Sequence, residues 1–337
     1  MTSSLDAGKQ SGLATVANSR GIIAALAIDQ RSALRSLFAR AMGIEAASVP
    51  AEGLVQFKES VSSVLTPHAS SILLDPEYGL PAAGKRAPGT GLLLAYEQTG
   101  YDNTVPGRLP RLLDGWTVPR LLDAGANAVK VLLYYSSRSS RQINEIKGAF
   151  VEKIGAECAR SAAAFFLELV SYADGMDEKG IEFARIKPEV VSAGMTEFSN
   201  SKYRVDVLKV GFPVNLSFVH GSPAFAGETL YTRQEAMNHC LQAASGARVP
   251  FIYLSEGVSN AGFQFGLELA SEASVKFSGV LCGRATWKDG VEVFVKQGGS
   301  ALHDWLAHEG VRNIENVNKC LGNATPWFKF SNAAAGS

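Results

Sequence analysis

The sequence predicts one α/β domain, a closed (β/α)8 TIM barrel. Three observations carry this. Eight short apolar runs recur along the chain, and amphipathic stretches separate most of them. The first run ends in Asp-Gln-Arg, not in the Gly-rich turn that opens a doubly wound nucleotide-binding sheet. Buried parallel strands read as unbroken apolar segments because both faces are covered. Strands alternating with helices belong to a parallel sheet walled by helices. Eight at this spacing suit closure better than the alternative, an open doubly wound sheet.

The runs follow in order. Ile22–Asp29 (IIAALAID) comes first. The amphipathic stretch Ala51–Leu65 leads to Ser71–Asp75 (SILLD). A Pro- and Gly-rich loop, 76–91, joins it to Leu92–Glu97 (LLLAYE), and the GTG inside that loop precedes a strand, so it reads as loop. Pro119–Ala124 leads to Ala128–Tyr135 (AVKVLLYY), and Ile143–Ala164 to Phe165–Val170 (FFLELV). Pro188–Glu197 precedes Val207–Phe212 (VLKVGF), and Arg233–Ala244 precedes Phe251–Gly257 (FIYLSEG). Ala261–Ala273 precedes Phe277–Arg284 (FSGVLCGR), and Arg284–Glu309 follows it as a helix. The body shows no linker, repeat or low-complexity segment. The expected layout is an N-terminal extension over 1–20, one barrel over 21–321 and a C-terminal tail over 322–337.

Composition narrows the function. Of 337 residues, 46% are apolar and 19% charged, too apolar for a disordered chain. Lys+Arg and Asp+Glu are both 32, so the basic excess of a nucleic-acid binder is missing. No apolar run reaches the length of a membrane helix. Four scattered cysteines without a CxxC pair read as reduced and buried, which suits the cytoplasm. The first residues, MTSSLDAGKQSG, do not read as a signal peptide. The aromatic ATPWFKF near the end is expected to dock on the barrel or on a neighbouring subunit.

In a barrel the chemistry sits where the strands end. Lys130, Glu168 and Lys209 stand inside otherwise apolar strands four, five and six. A buried lone charge is expensive, so these three are expected to meet inside the barrel. A lysine amine is a nucleophile only when neutral, and burial or a neighbouring cation favours that form. Two lysines therefore suit Schiff-base chemistry on a carbonyl, with Glu168 moving protons. Asp29 would orient a lysine or a substrate hydroxyl, with Gln30 and Arg31 beside it as substrate contacts. Which lysine attacks stays open at this level.

Strands seven and eight carry a second signal. Ser255 and Gly257 lie at the end of one; Gly283 and Arg284 end the other. Barrels often hold phosphate at these loops, where glycines admit an anion and an arginine adds charge. No histidine ends a strand, so neither a metal nor another cofactor is expected.

The same residues carry a family resemblance. ALAIDQR (25–31), SSILLDPEYGLPA (70–82), GLLLAYEQTGYD (91–102) and AVKVLLYY (128–135) resemble the class I tagatose 1,6-bisphosphate aldolase family. So do FFLEL (165–169), DVLKV (206–210), YLSEGVS (253–259) and GVLCGRATW (279–287). The resemblance runs from about Gly21 to about Leu321. It implies a barrel that cleaves a ketose bisphosphate to dihydroxyacetone phosphate and glyceraldehyde 3-phosphate. It also implies Lys209 as the Schiff-base lysine, Lys130, Glu168 and Asp29 as catalytic partners, Ser255, Gly283 and Arg284 at phosphate, and a homo-oligomer.

Three departures bear on the substrate. Gly211 and Glu256 replace, respectively, an expected glutamate and an expected small residue. Ser136–Arg141 (SSRSSR) is more basic than expected. They leave room for fructose 1,6-bisphosphate or a sulfonated ketose 1-phosphate such as 6-deoxy-6-sulfofructose 1-phosphate. A metabolite-sensing barrel without turnover is the competing class, but it has no need of two buried lysines.

Overall fold

A computed structural model describes residues 6–99, 101 and 104–330. Eight parallel strands close on themselves in sequence order. They are β1 (Ile23–Ala27), β2 (Ser71–Leu74), β3 (Gly91–Ala95), β4 (Ala128–Tyr135), β5 (Ala164–Ser171), β6 (Val207–Val210), β7 (Phe251–Leu254) and β8 (Gly279–Cys282). The ring is completed where Ile23 pairs with Gly279 and Leu26 with Cys282. The expected TIM barrel is the fold observed. Closure removes both sheet edges, while helices outside and side chains inside cover the two faces.

The helices form the outer wall. In chain order they are α1 (Ala7–Val16), α2 (Ser32–Met42), α3 (Ala51–Leu65), α4 (Leu80–Ala83), α5 (Val118–Asp123) and α6 (Arg141–Arg160). Then come α7 (Ile181–Phe198), α8 (Arg233–Ser245), α9 (Asn260–Glu272), α10 (Arg284–Trp287), α11 (Gly290–Trp305) and α12 (Val311–Lys319). Alternate strand residues face outward and pack with these helices into one large apolar cluster. The others face inward, and Ala25, Leu73, Leu93, Ala128, Phe166, Val207, Ile252 and Leu281 fill the barrel's lower interior.

The structure differs from the sequence reading in several places. The expected N-terminal extension contains α1, whose Leu13 and Val16 cap the interior cluster from below. The Val16 carbonyl accepts from the hydroxyls of Ser70 and Ser71. Buried Lys9 pairs with Asp206 at 2.7 Å. The aromatic run of the tail docks on the barrel as expected: Trp327 packs on the same floor, and its backbone N–H donates to the Gly21 carbonyl. The final polar segment, 331–337, lies outside the described residues. Helix α7 begins seven residues before Pro188 and runs through it. Lacking an N–H, Pro188 forfeits one hydrogen bond there without ending the helix. The single helix expected over 284–309 is broken: α10 holds four residues, and Gly298 interrupts α11 at φ +86°. No helix among the described residues is long and apolar enough to cross a membrane.

Candidate active site

Strand register brings the three strand charges together. Glu168 on β5 pairs directly with Lys209 on β6, and β4 runs along the other side of β5. Ala128, Phe166 and Val207, two residues earlier on each strand, face the interior. Alternation therefore points Lys130, Glu168 and Lys209 inward, above that apolar layer.

The resulting contacts are tight and buried. Lys209 Nζ donates to Glu168 Oε2 at 2.8 Å, and Lys130 Nζ lies 2.8 Å from the same oxygen. Lys130 also donates to Asp29 Oδ2 at 2.9 Å and Glu97 Oε1 at 2.8 Å. Arg31 donates to the Glu97 carbonyl and to Glu77 Oε2, and its guanidinium lies 3.8 Å from Glu97 Oε1. Four carboxylates, Asp29, Glu77, Glu97 and Glu168, thus face two lysines and an arginine. The sequence reading set Lys130 beside Lys209 as a neighbouring cation. The structure instead puts Glu168 between them and gives Lys130 two further carboxylates.

This arrangement decides protonation. Burial alone would push Lys130 down, but Asp29, Glu168 and Glu97 outweigh it and hold it well above the ordinary lysine range. Burial alone would raise Asp29 and Glu168. Lys130, then Lys209, overcome it and hold both below the usual carboxylate range. A carboxylate depressed on folding adds stability above its unfolded pKa of about 4, and that stability is lost as pH falls through the folded value. Urea unfolding should show stability falling continuously below about pH 4. A flat or rising trend there would count against a charged cluster.

Across the mouth lies the second group. Ser255 follows β7 and is buried. Burial pushes the neighbouring Cys282 thiol up to about 12, with Ser255 pulling it the other way. Gly283 follows β8, and a Cβ there would lie 3.3 Å from Gln30 Nε2, so the ends of β8 and β1 meet closely. Arg284 opens α10, and its guanidinium has no ion-pair or hydrogen-bond partner among the described residues. With only four residues, α10 lends little dipole, so the charge available here is the guanidinium. Three buried polar atoms near the β1 and β3 ends also lack partners among the described residues: Gln30 Oε1, Arg31 Nε and Glu97 Oε2.

Sequence reasoning missed several contributors. Glu97 closes the third apolar run, and nothing in the sequence ties it to Lys130. Lys58 on α3 was passed over, although it falls on the stripe of Leu54, Val61 and Leu65. It is fully buried and binds Asp75, the Ile28 carbonyl and the Gln30 carbonyl. Arg108 lies 4.8 Å over the rings of both Tyr134 and Tyr172. The two arginines of 136–141 are spoken for: Arg138 pairs with Glu189 and Arg141 with Glu145, both exposed.

A buried amine bonded to a carboxylate at a barrel mouth is the equipment of an aldolase-class barrel enzyme. The chain belongs to the DeoC/LacD family of aldolases, whose model matches residues 23–289. It is 50% identical over 327 residues to tagatose 1,6-diphosphate aldolase 2 of Enterococcus faecalis, covering 96% of each chain. It is 47% identical over 324 residues to a tagatose 1,6-diphosphate aldolase of Listeria monocytogenes, covering 95% of this chain and 94% of that one. Among solved structures, a fructose-bisphosphate aldolase from Plasmodium falciparum superposes with a TM-score of 0.69 at 14% identity, covering 95% of this chain and 96% of that one. At that identity the likeness concerns the fold alone.

Proposed function

We propose that this protein is a Schiff-base aldolase that cleaves D-tagatose 1,6-bisphosphate to dihydroxyacetone phosphate and glyceraldehyde 3-phosphate. The observation that carries the mechanism is the single carboxylate oxygen, Glu168 Oε2, within 2.8 Å of both lysine nitrogens. The relatives' names support the substrate. The same reading carries a cytoplasmic homo-oligomer, in keeping with cysteines that are all free thiols.

Lys209 gives a proton to Glu168 and its amine adds to the C2 carbonyl. Glu168 returns that proton to the carbinolamine hydroxyl, which leaves as water and gives the iminium. The carboxylate then takes the C4 hydroxyl proton, and the C3–C4 bond breaks. Its electrons flow into the iminium, giving an enamine and free aldehyde. Protonation at C3 and hydrolysis release dihydroxyacetone phosphate and restore Lys209. Lys130, held cationic by its carboxylates, steadies the substrate hydroxyls and the charge on Glu168. Asp29 keeps Lys130 in place. Ser255, Gly257, Gly283 and Arg284 take the C1 phosphate, with Gln30 and Arg31 at the adjoining wall.

Borohydride with tagatose 1,6-bisphosphate should leave a reduced adduct on Lys209, located by peptide mass spectrometry. An adduct on Lys130, or none, would overturn the assignment. Turnover of tagatose 1,6-bisphosphate should exceed that of fructose 1,6-bisphosphate and 6-deoxy-6-sulfofructose 1-phosphate. Preference for either of the others would reassign the substrate.

A further inference from the structure

The turn after β7 holds a side chain that the chemistry above leaves unused. Val258 N–H donates to the Ser255 carbonyl at 3.0 Å, closing a four-residue turn. Its two central residues both have positive φ, +47° at Glu256 and +80° at Gly257. Turns of this kind favour Gly, Asn or Asp at both positions. A glutamate there is strained and persists only where its surroundings hold it.

Two features hold it. Glu256 Oε2 pairs with Lys187 Nζ at 2.7 Å, and the Lys187 side chain is only 8% exposed. Lys187 belongs to α7, so the pair spans from the β7 turn over the end of β6 to the outer wall. The crossing point is Gly211, just beyond β6. A Cβ on Gly211 would lie 2.2 Å from Glu256 Oε1 and 2.7 Å from Oε2. The carboxylate therefore occupies the space that any side chain at 211 would claim. On the other side of the turn, Gly257 backs directly onto Arg284: a Cβ there would sit 3.0 Å from the guanidinium carbon.

We propose that Glu256 is a positioning residue: anchored on Lys187 across Gly211, it latches the Ser255–Val258 turn so that Gly257 seats the Arg284 guanidinium for substrate phosphate. This rests on the phosphate role given above to Ser255, Gly257 and Arg284. The latch acts on anion affinity and leaves the Lys209–Glu168 contact untouched. Gly211, in this account, is required by the carboxylate that lies over it.

The test is calorimetric titration of the full chain with inorganic phosphate at fixed ionic strength. Wild type, Glu256→Gln, Lys187→Met and Gly211→Ala are compared. Each single variant should bind about tenfold more weakly, the scale of one lost charge-assisted contact. Gly211→Ala acts by evicting the same carboxylate, since the atom it meets is the movable end of a side chain. The double variant Glu256→Gln with Gly211→Ala should therefore bind no more weakly than either single one. Variants that bind like wild type, or a double variant with additive loss, would overturn the latch alone. A wild type that binds no phosphate would overturn the anion-loop reading and the latch with it.

Discussion

Replacing Lys130 by Met should lower kcat by about 10³-fold or more and destabilise the fold by about 3–5 kcal/mol. Lys130 Nζ is the common partner of Asp29, Glu97 and Glu168. Methionine fills much of the same volume but removes the charge. Three carboxylates are then left in a site with side-chain exposures of 4–9%, facing only Lys209 and, at 3.8 Å, Arg31. At least one must take up a proton at neutral pH, because like charges this close cannot all stay ionised in a buried site. If that proton lands on Glu168, the group needed to receive protons from Lys209 and from the C4 hydroxyl is blocked. The pH dependence should change with it. Acidic variants that remove one crowded charge, Glu97→Gln above all, should recover part of the lost stability in the Lys130→Met background. Urea unfolding and steady-state kinetics on the single and double variants measure both quantities. A Lys130→Met protein within tenfold of wild-type kcat would remove Lys130 from the chemistry.

Much of this cluster was legible because it violates a local rule. A charge inside an apolar strand stands out in AVKVLL, FFLELV and VLKVGF, and the two-residue period of a strand fixes which face it takes. The barrel was legible from a related pattern: strands buried on both faces leave short, unbroken apolar runs. Helix α1 was not, because it has no wide apolar stripe to detect. It packs through Leu13 and Val16 and, beside them, through Gly12, where a Cβ would lie 2.4 Å from the Asn127 carbonyl. The role of Glu97 was hidden because strand ends are commonly polar. The Glu256–Lys187 contact was hidden more deeply. It joins residues 69 apart through a turn conformation that glutamate rarely adopts. Residue type cannot signal such a contact; only the assembled loop can.

Lys58 shows the converse, a charge that could be read from its position but whose use depends on three separate segments. Lys58→Met should destabilise the protein by about 3–5 kcal/mol, as expected when one partner of a buried ion pair is removed. Neither Lys58 nor Asp75 exposes any side-chain surface. All three ammonium protons are placed: one on Asp75, one on the Ile28 carbonyl at 2.7 Å and one on the Gln30 carbonyl at 3.0 Å. Asp75 in turn accepts from the backbone N–H groups of Glu77 and Tyr78. Burial holds the Lys58 amine below the ordinary lysine range despite the attraction of Asp75, so the pair as a whole adds little net stability. What it fixes is geometry, since the two carbonyls flank Asp29, the residue that steadies Lys130. Converting the pair to Met and Leu would remove the stranded charge but leave two carbonyls and two N–H groups without partners. The double variant should therefore regain only part of the loss. Urea midpoints and slopes for the two variants provide the comparison. A Lys58→Met protein that loses less than about 1 kcal/mol would mean that water or a rearranged loop satisfies those groups, and that the β1 end does not depend on Lys58.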